Sequence, residues 1–195
     1  MNNLPVKLTI ALTLLAAFLA SPTSSRAEGT ALTARAFLPL ATATRACTFN
    51  AEESAILAAM QNDARQGRVQ LVCSVELMKA ARSHALDMGI RNYFGHVTPA
   101  PNSVGPNQMA RNAGYVLPAW YDTSITANNI ESIAAGYATP DSVWAAWMNS
   151  DPHRQHLLGL NGFYAEQIEI GIGYAYVPTS TYKYQWVVMT AKRGP

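Results

Sequence analysis

The hydrophobic period changes along this chain, and that change limits what it can fold into. Between Asn50 and Met148, apolar residues recur at spacings of three and four, as on helices. After Ile168 they alternate. Ile168, Ile170, Ile172 and Tyr174 alternate with Glu169, Gly171, Gly173 and Ala175, which reads as a strand with one face buried. Tyr184, Trp186, Val188 and Thr190 repeat the pattern, and Pro178 to Tyr182 joins the two runs as a hairpin loop. Helices first and strands packed against them make an α+β chain of one domain.

The helical half carries its own punctuation. Asn50 caps a first helix with Glu52 and Glu53 in its first turn and Ile56, Leu57 and Met60 on one face; it should stop near Gly67. Ser74 opens a second, with Leu77, Ala80, Ala81, His84, Ala85 and Met88 on one face. His84 reads there as a buried, hydrogen-bonded core histidine rather than a ligand. Met109, Ala110 and Ala113 before Gly114 form a short third helix, and Ala134-Ala135-Gly136 a brief helical turn and its stop. Thr139 caps a helix with Pro140 at its first position, Asp141 in its first turn and Val143, Trp144, Trp147 and Met148 as its stripe. Asp151-Pro152 ends that helix and leaves His153 just beyond it, able to point into a cleft.

Composition bounds the function. Of 195 residues, 49% are hydrophobic and 13% charged, which describes a lightly charged globule and not a disordered chain. Lys7, the apolar run Leu8 to Ala20 and Ser25-Arg26-Ala27 read as a signal peptide over residues 1–27, with cleavage after Ala27. Residues 28–49 read as a linker or N-terminal arm and residues 50–195 as the domain. Cleavage removes two basic residues and no acidic one, so 12 of the 14 basic residues remain against 12 acidic. No basic patch exists, which argues against nucleic acid as a partner, and no membrane span is expected after cleavage. The expected location is secreted or periplasmic. Cys47 and Cys73 are expected to pair there, closing a loop that stabilises by about 3 kcal/mol in the chain-entropy reading.

Three polar positions stand out beside His153. His96 sits in Tyr93-Phe94-Gly95-His96-Val97-Thr98-Pro99, as a loop-stabilising donor or a site residue. Asn128 precedes Asn129, and such a pair commonly marks a turn. Ser150 lies three residues before His153, near enough to meet it if that turn is helical.

Phe94-Gly95-His96 with the preceding His84-Ala85-Leu86-Asp87-Met88, then Asn129-Ile130, then Trp147-Met148-Asn149-Ser150 followed by His153-Arg154, resemble in that order the bacterial branch of the CAP superfamily. This is the group of cysteine-rich secretory, antigen 5 and pathogenesis-related 1 proteins, also called SCP-like extracellular proteins. Glu169 to Tyr174 and Tyr184-Gln185-Trp186 resemble that family's closing strands, so the resemblance covers residues 52–192. It implies a three-layer α-β-α sandwich with a central antiparallel sheet, and a cleft lined by two histidines and two acidic residues. Carried over by position, the histidines are His96 and His153, while the acidic positions fall on Asn128 and Ser150; Glu131 or Asp151 could substitute only where the local backbone redirects them.

Two imidazoles facing a cleft suit a divalent metal such as zinc. Asparagine and serine in place of carboxylates leave that metal weakly bound at most, with His96 and His153 as its ligands. No catalytic residue is assigned; His96, Asn128, Ser150 and His153 are cleft candidates. A metal-dependent or serine hydrolase acting on peptides or cell-wall material is the alternative; for the serine form, Asp151 should point away from Ser150, and no Gly-x-Ser-x-Gly elbow surrounds that serine. The preferred expectation is a non-enzymatic binding module for an extracellular or envelope ligand, whether lipid, peptide or protein. Tyr115, Trp120, Tyr121 and Tyr137 either line an apolar groove for it or cover the core.

Overall fold

Helices α1 (Ala51–Asn62), α2 (Val75–Ile90), α3 (Pro106–Asn112), α4 (Pro140–Met148), α5 (Asp151–Leu158) and α6 (Gly162–Ala165) surround a sheet of β1 (Val72–Cys73), β2 (Glu131–Ala135), β3 (Glu169–Tyr176) and β4 (Tyr184–Ala191). This is a computed structural model, and it describes residues 47–195. The expected signal peptide, its cleavage point and arm residues 28–46 lie outside the described residues.

The sheet order is β1-β3-β4-β2. β3 and β4 pair antiparallel along their whole length, from Glu169↔Ala191 to Tyr176↔Tyr184, and β2 pairs antiparallel with β4. The sheet is not wholly antiparallel: β1 joins β3 in parallel through Val72↔Glu169 and Cys73↔Ile170. The Cys47–Cys73 disulfide forms as expected, with Cα atoms 6.1 Å apart, and ties the start of the described chain to that edge.

Two cores lie on opposite faces of the sheet. On one, Leu77, Ala81, Ala85 and Met88 of α2 meet Ile133, Val187 and Met189. On the other, Ile56 and Met60 of α1, Val143 and Trp147 of α4 and Leu157 of α5 meet Ile172, Trp186 and Val188. The result is an α-β-α sandwich. The expectation of one buried face per strand therefore gives way to two. The glycine face of β3 is not solvated but lies directly under α2. A methyl group on Gly171 would sit 2.1 Å from Leu77 C and Met78 N, and one on Gly173 2.3 Å from Ala81 C. Glycines in the strand and alanines in the helix let the two backbones approach.

Several boundaries differ from expectation. α1 ends at Asn62, five residues before Gly67, because Asp63 turns extended and its carboxylate accepts from the Arg65 backbone and guanidinium. Residues 134–136 are not helical: Ala134 and Ala135 complete β2 because pairing with β4 overrides alanine's helix preference. So a strand interrupts the helical half. Asn50, Ser74 and Thr139 each cap their helices through their side chains, as expected. Asp151-Pro152 does follow the end of α4, yet it opens α5 instead of a loop, since a proline in a first turn gives up no helical bond. His153 is therefore in the first turn of α5. Among the described residues, no helix is long and apolar enough to cross a membrane.

Candidate functional site

The end of β2 gathers the site. Strand alternation sends Glu131 and Ile133 toward the α2 layer and Ser132 and Ala134 toward the α4–α5 layer. Glu131 thus meets the loop after α2, and Ser132 meets α5.

On the first side, the Glu131 carboxylate is fully buried and engages two histidines. Oε2 lies 2.6 Å from His84 Nδ1 and Oε1 lies 2.8 Å from His96 Nδ1. His84 Nε2 lies 3.1 Å from the Gly95 carbonyl, which can only accept, so that nitrogen donates. His84 is buried and hydrogen-bonded, as its place on α2 predicts. Burial pushes the Glu131 carboxyl up, but His84 above all, with His96, outweighs this and holds it below the ordinary carboxylate range.

Asn128 fixes the approach to β2. Its Oδ1 accepts from the Glu131 backbone (2.9 Å) and its Nδ2 donates to the Glu131 carbonyl (3.1 Å). The turn reading of Asn128 therefore holds. That bonding leaves Nδ2 facing His96 Nδ1 at 3.2 Å. With His96 Nδ1 already donating to Glu131, the approach is a contact between two donors and not a bond.

On the second side, Ser150 Oγ lies 2.7 Å from His153 Nδ1. Ser150 starts α5 without capping it, its hydroxyl being turned to His153 instead. Asp151 faces elsewhere, accepting from Arg154 and Gln155. Burial pushes the His153 imidazole down, and His96 adds to this. One turn on, His156 is buried between Ser132 Oγ (2.7 Å) and Thr190 Oγ1 (2.8 Å). Gln167 Nε2 donates to Asn129 O and Tyr121 Oη, so its Oε1 is an acceptor and takes the Thr190 proton at 2.9 Å. Thr190 therefore accepts from His156 Nε2, and His156 Nδ1 accepts from Ser132. Burial holds His156 well below the ordinary imidazole value, and the Arg68 guanidinium adds to the effect. Arg68, 5% exposed, donates to the carbonyls of His156 and Leu157.

Between the two sides lies a cleft of about 180 Å³, lined by His96, Asn128, Glu131, Pro152, His153 and Tyr164, with Ser132 and His156. All four expected candidates thus belong to one locality: His96, Asn128 and His153 line it, and Ser150 holds His153. Glu131, Ser132 and His156 complete it; Ser132 and His156 were not singled out from sequence, and Glu131 only as a substitute carboxylate if the backbone redirects it. Asn128 and Ser150 leave no carboxylate at the two carried-over acidic positions, and of the two conditional substitutes it is Glu131, not Asp151, that supplies one. The turn at Asn128 redirects the chain so that this side chain enters the site. Reading 131–135 as a strand would have found it, because Glu131 then shares a face with Ile133.

A family model for the cysteine-rich secretory protein family, CAP, matches residues 45–190. The chain belongs to the CAP family. It is 36% identical over 110 residues to the uncharacterized protein YkwD of Bacillus subtilis (strain 168), a match covering 56% of this chain and 37% of that one. The chain thus spans well under half of that relative's length. The fold is similar to an outer surface protein from Borrelia burgdorferi (TM-score 0.50, 21% identity, 72% of this chain and 89% of that chain). It is also similar to an extracellular protein containing a SCP domain from Bacillus anthracis (TM-score 0.52, 19% identity, 73% and 40%). The cleft of this CAP chain is lined by His96, His153 and the buried Glu131 carboxylate.

The two free ring nitrogens, His96 Nε2 and His153 Nε2, have no partner among the described residues. Both Glu131 oxygens are spent on histidines. Among the described residues, no group of three or more His, Cys, Asp or Glu side chains is arranged to hold a metal ion. Two nitrogens fall short of the three protein ligands usual at catalytic zinc. Of the four aromatics weighed above, Tyr115 and Tyr121 are core, while Trp120 and Tyr137 are exposed.

Proposed function

We propose that this CAP protein is exported and acts by binding, presenting His96 Nε2 and His153 Nε2 to an extracellular or envelope ligand. The observation that carries the reading is that each imidazole is held at Nδ1, by Glu131 and by Ser150, leaving Nε2 unengaged toward a polar cleft. His96 Nε2 accepts a hydrogen bond from a ligand, His153 Nε2 donates or accepts according to where its proton sits, and with both bare the pair coordinates a divalent cation weakly. Export rests on the apolar leader and on the extracellular relative; protein recovered from the medium or envelope should begin at Glu28, and a start at Met1 would refute cleavage.

Zinc titration of the exported chain at neutral pH tests the cleft, beside His96→Ala and His153→Ala. Weak uptake of one ion, lost in both variants, is expected. Uptake unchanged in either variant would refute a shared site.

A hydrolase is the second reading, favoured by the 2.7 Å Ser150–His153 approach. It lacks an acid to orient His153, since Asp151 is turned to Arg154 and Gln155. Turnover of a peptide or cell-wall substrate that vanishes in both His96→Ala and His153→Ala would overturn the binding reading.

A further inference from the structure

His84 lies in the core of the α2 layer, outside the cleft's two free nitrogens, and its side chain is fully buried. A core histidine needs only to satisfy its two nitrogens. This one spends both on the same neighbour. Nδ1 reaches Glu131 Oε2 at 2.6 Å, and the other oxygen of that carboxylate accepts from His96 Nδ1. Nε2 donates to the carbonyl of Gly95, the peptide group that carries His96. The ring thus grips His96 from two directions, through the carboxylate that orients its imidazole and through its own backbone.

We propose that His84 is a positioning residue for the cleft: it holds His96 as the tautomer protonated at Nδ1, with Nε2 bare toward the ligand. This rests on the reading that His96 faces a ligand. The physical logic is that of an outer partner fixing which ring nitrogen is free. A carboxylate held on one oxygen by His84 cannot rotate its other oxygen away from His96. A loop peptide held at Gly95 cannot carry His96 out of reach of that oxygen. Arg82, Arg91 and Lys79 lie on the same helix or at its end, yet Arg82 is engaged with Glu53 and Arg91 with Asp87 and the Pro99 carbonyl, and Lys79 is exposed. Among the described residues, His84 is the one side chain bonded to both the Glu131 carboxylate and the Gly95 carbonyl.

The test reads the nitrogen resonances of His96 in the exported chain, labelled with 15N at histidine, without any ligand. Wild type should show one protonated and one bare ring nitrogen, with the proton on Nδ1 and slow to exchange. His84→Asn keeps a donor near the Nδ1 position and should retain that pattern. His84→Gln keeps a donor near the Nε2 position but loses the hold on Glu131. There the separation between the two His96 nitrogens should collapse toward an average of both tautomers, with loss of the protected proton. A role confined to packing would lower stability in both variants and leave the His96 pattern unchanged in both, which overturns the proposal. A wild-type His96 protonated at Nε2 overturns it without any variant. The zinc titration is a separate readout: a cleft that binds nothing while His96 keeps its Nδ1 proton would refute the binding reading and leave the positioning role standing.

Discussion

The two walls of the cleft use the same residue type to opposite electrostatic ends. On the α2 side, His84 and His96 share one buried carboxylate, so both rings are tied to a single anionic acceptor. On the α5 side, His153 and His156 have only hydroxyl partners, Ser150, Ser132 and Thr190, and burial keeps both imidazoles below their ordinary pKa. Beside His156 the Arg68 guanidinium adds to that effect. An imidazole beside a carboxylate has a fixed tautomer and a counterion for any positive charge it acquires. One beside hydroxyls and a guanidinium stays neutral. The cleft therefore has one side built around an anionic acceptor and one side that resists becoming charged.

Removing Glu131 should break this contrast most severely. Glu131→Ala leaves two histidines without their common acceptor and opens a void beneath β2. Leaving a buried polar group without its partner costs about 1–3 kcal/mol and the void adds to it, and urea denaturation should show a loss at or above the top of that range. Glu131→Gln keeps the shape and one acceptor and should cost clearly less. Equal, small losses in both would mean that the carboxylate is not the centre of its wall.

Arg68 is the corresponding point on the other wall. Burial pulls its pKa down to about 10, so it stays a cation at neutral pH. It donates to the His156 and Leu157 carbonyls and reaches Thr190. Arg68→Met strands those buried acceptors and should cost about 1–3 kcal/mol in the same measurement. It should also make His156 easier to protonate, since the guanidinium is one of the causes of its depressed pKa.

Acidification separates the walls by pH. His156 has a lower pKa folded than unfolded, so the unfolded chain takes the proton first. Its contribution is complete above about pH 6.5 and is lost as pH falls from there toward the folded pKa. His153 acts in the same window and in the same direction. Glu131 is also depressed, so its contribution is complete above about pH 4.5 and is lost below that. Stability should decline in two stages, the first with a slope of up to about 1.4 kcal/mol per pH unit for each proton taken up. His156→Asn, which can still accept from Ser132, should flatten most of the upper stage and leave the lower one. An unchanged upper stage would show that the α5 wall is not held neutral by burial.

The layers of this fold were legible because they rest on periodicity. The caps at Asn50, Ser74 and Thr139, the α2 face and the β3–β4 hairpin are local signals, and the structure keeps them all. What periodicity misread was short or non-local. Glu131–Ala135 is five residues long, too short to display its alternation, and it is a strand only because β4 lies beside it. The same error blurs the site's carboxylate: with 134–136 read as a helical turn, Glu131 has no defined face and is only a conditional substitute for the missing acidic residues. His96 and His153 were visible through the resemblance and through their loop and helix-end surroundings. His156 was not, because its partners, Ser132 and Thr190, lie 24 and 34 residues away in sequence. Asp151-Pro152 shows a further limit, since proline reads alike as the end of one helix and the start of the next.

The smallest expected effect lies at Ser150, and it sharpens the comparison most. Ser150 and Glu131 play matching parts, each bonded to the Nδ1 of a cleft histidine, but one is a hydroxyl at the start of α5 and the other a buried carboxylate. Ser150→Ala removes one neutral hydrogen bond at a partly exposed position and should cost about 0.5–1.5 kcal/mol, with the fold intact. Its consequence at the site should be local. A hydroxyl can donate to or accept from Nδ1, so it orients the ring without dictating where its proton sits, whereas a carboxylate only accepts. His153 should therefore become more mobile in Ser150→Ala while His96 keeps its proton on Nδ1, read by the same histidine nitrogen resonances. A change at His96 as large as that at His153 would mean that the walls are coupled across the cleft, and that their different chemistry does not make them independent.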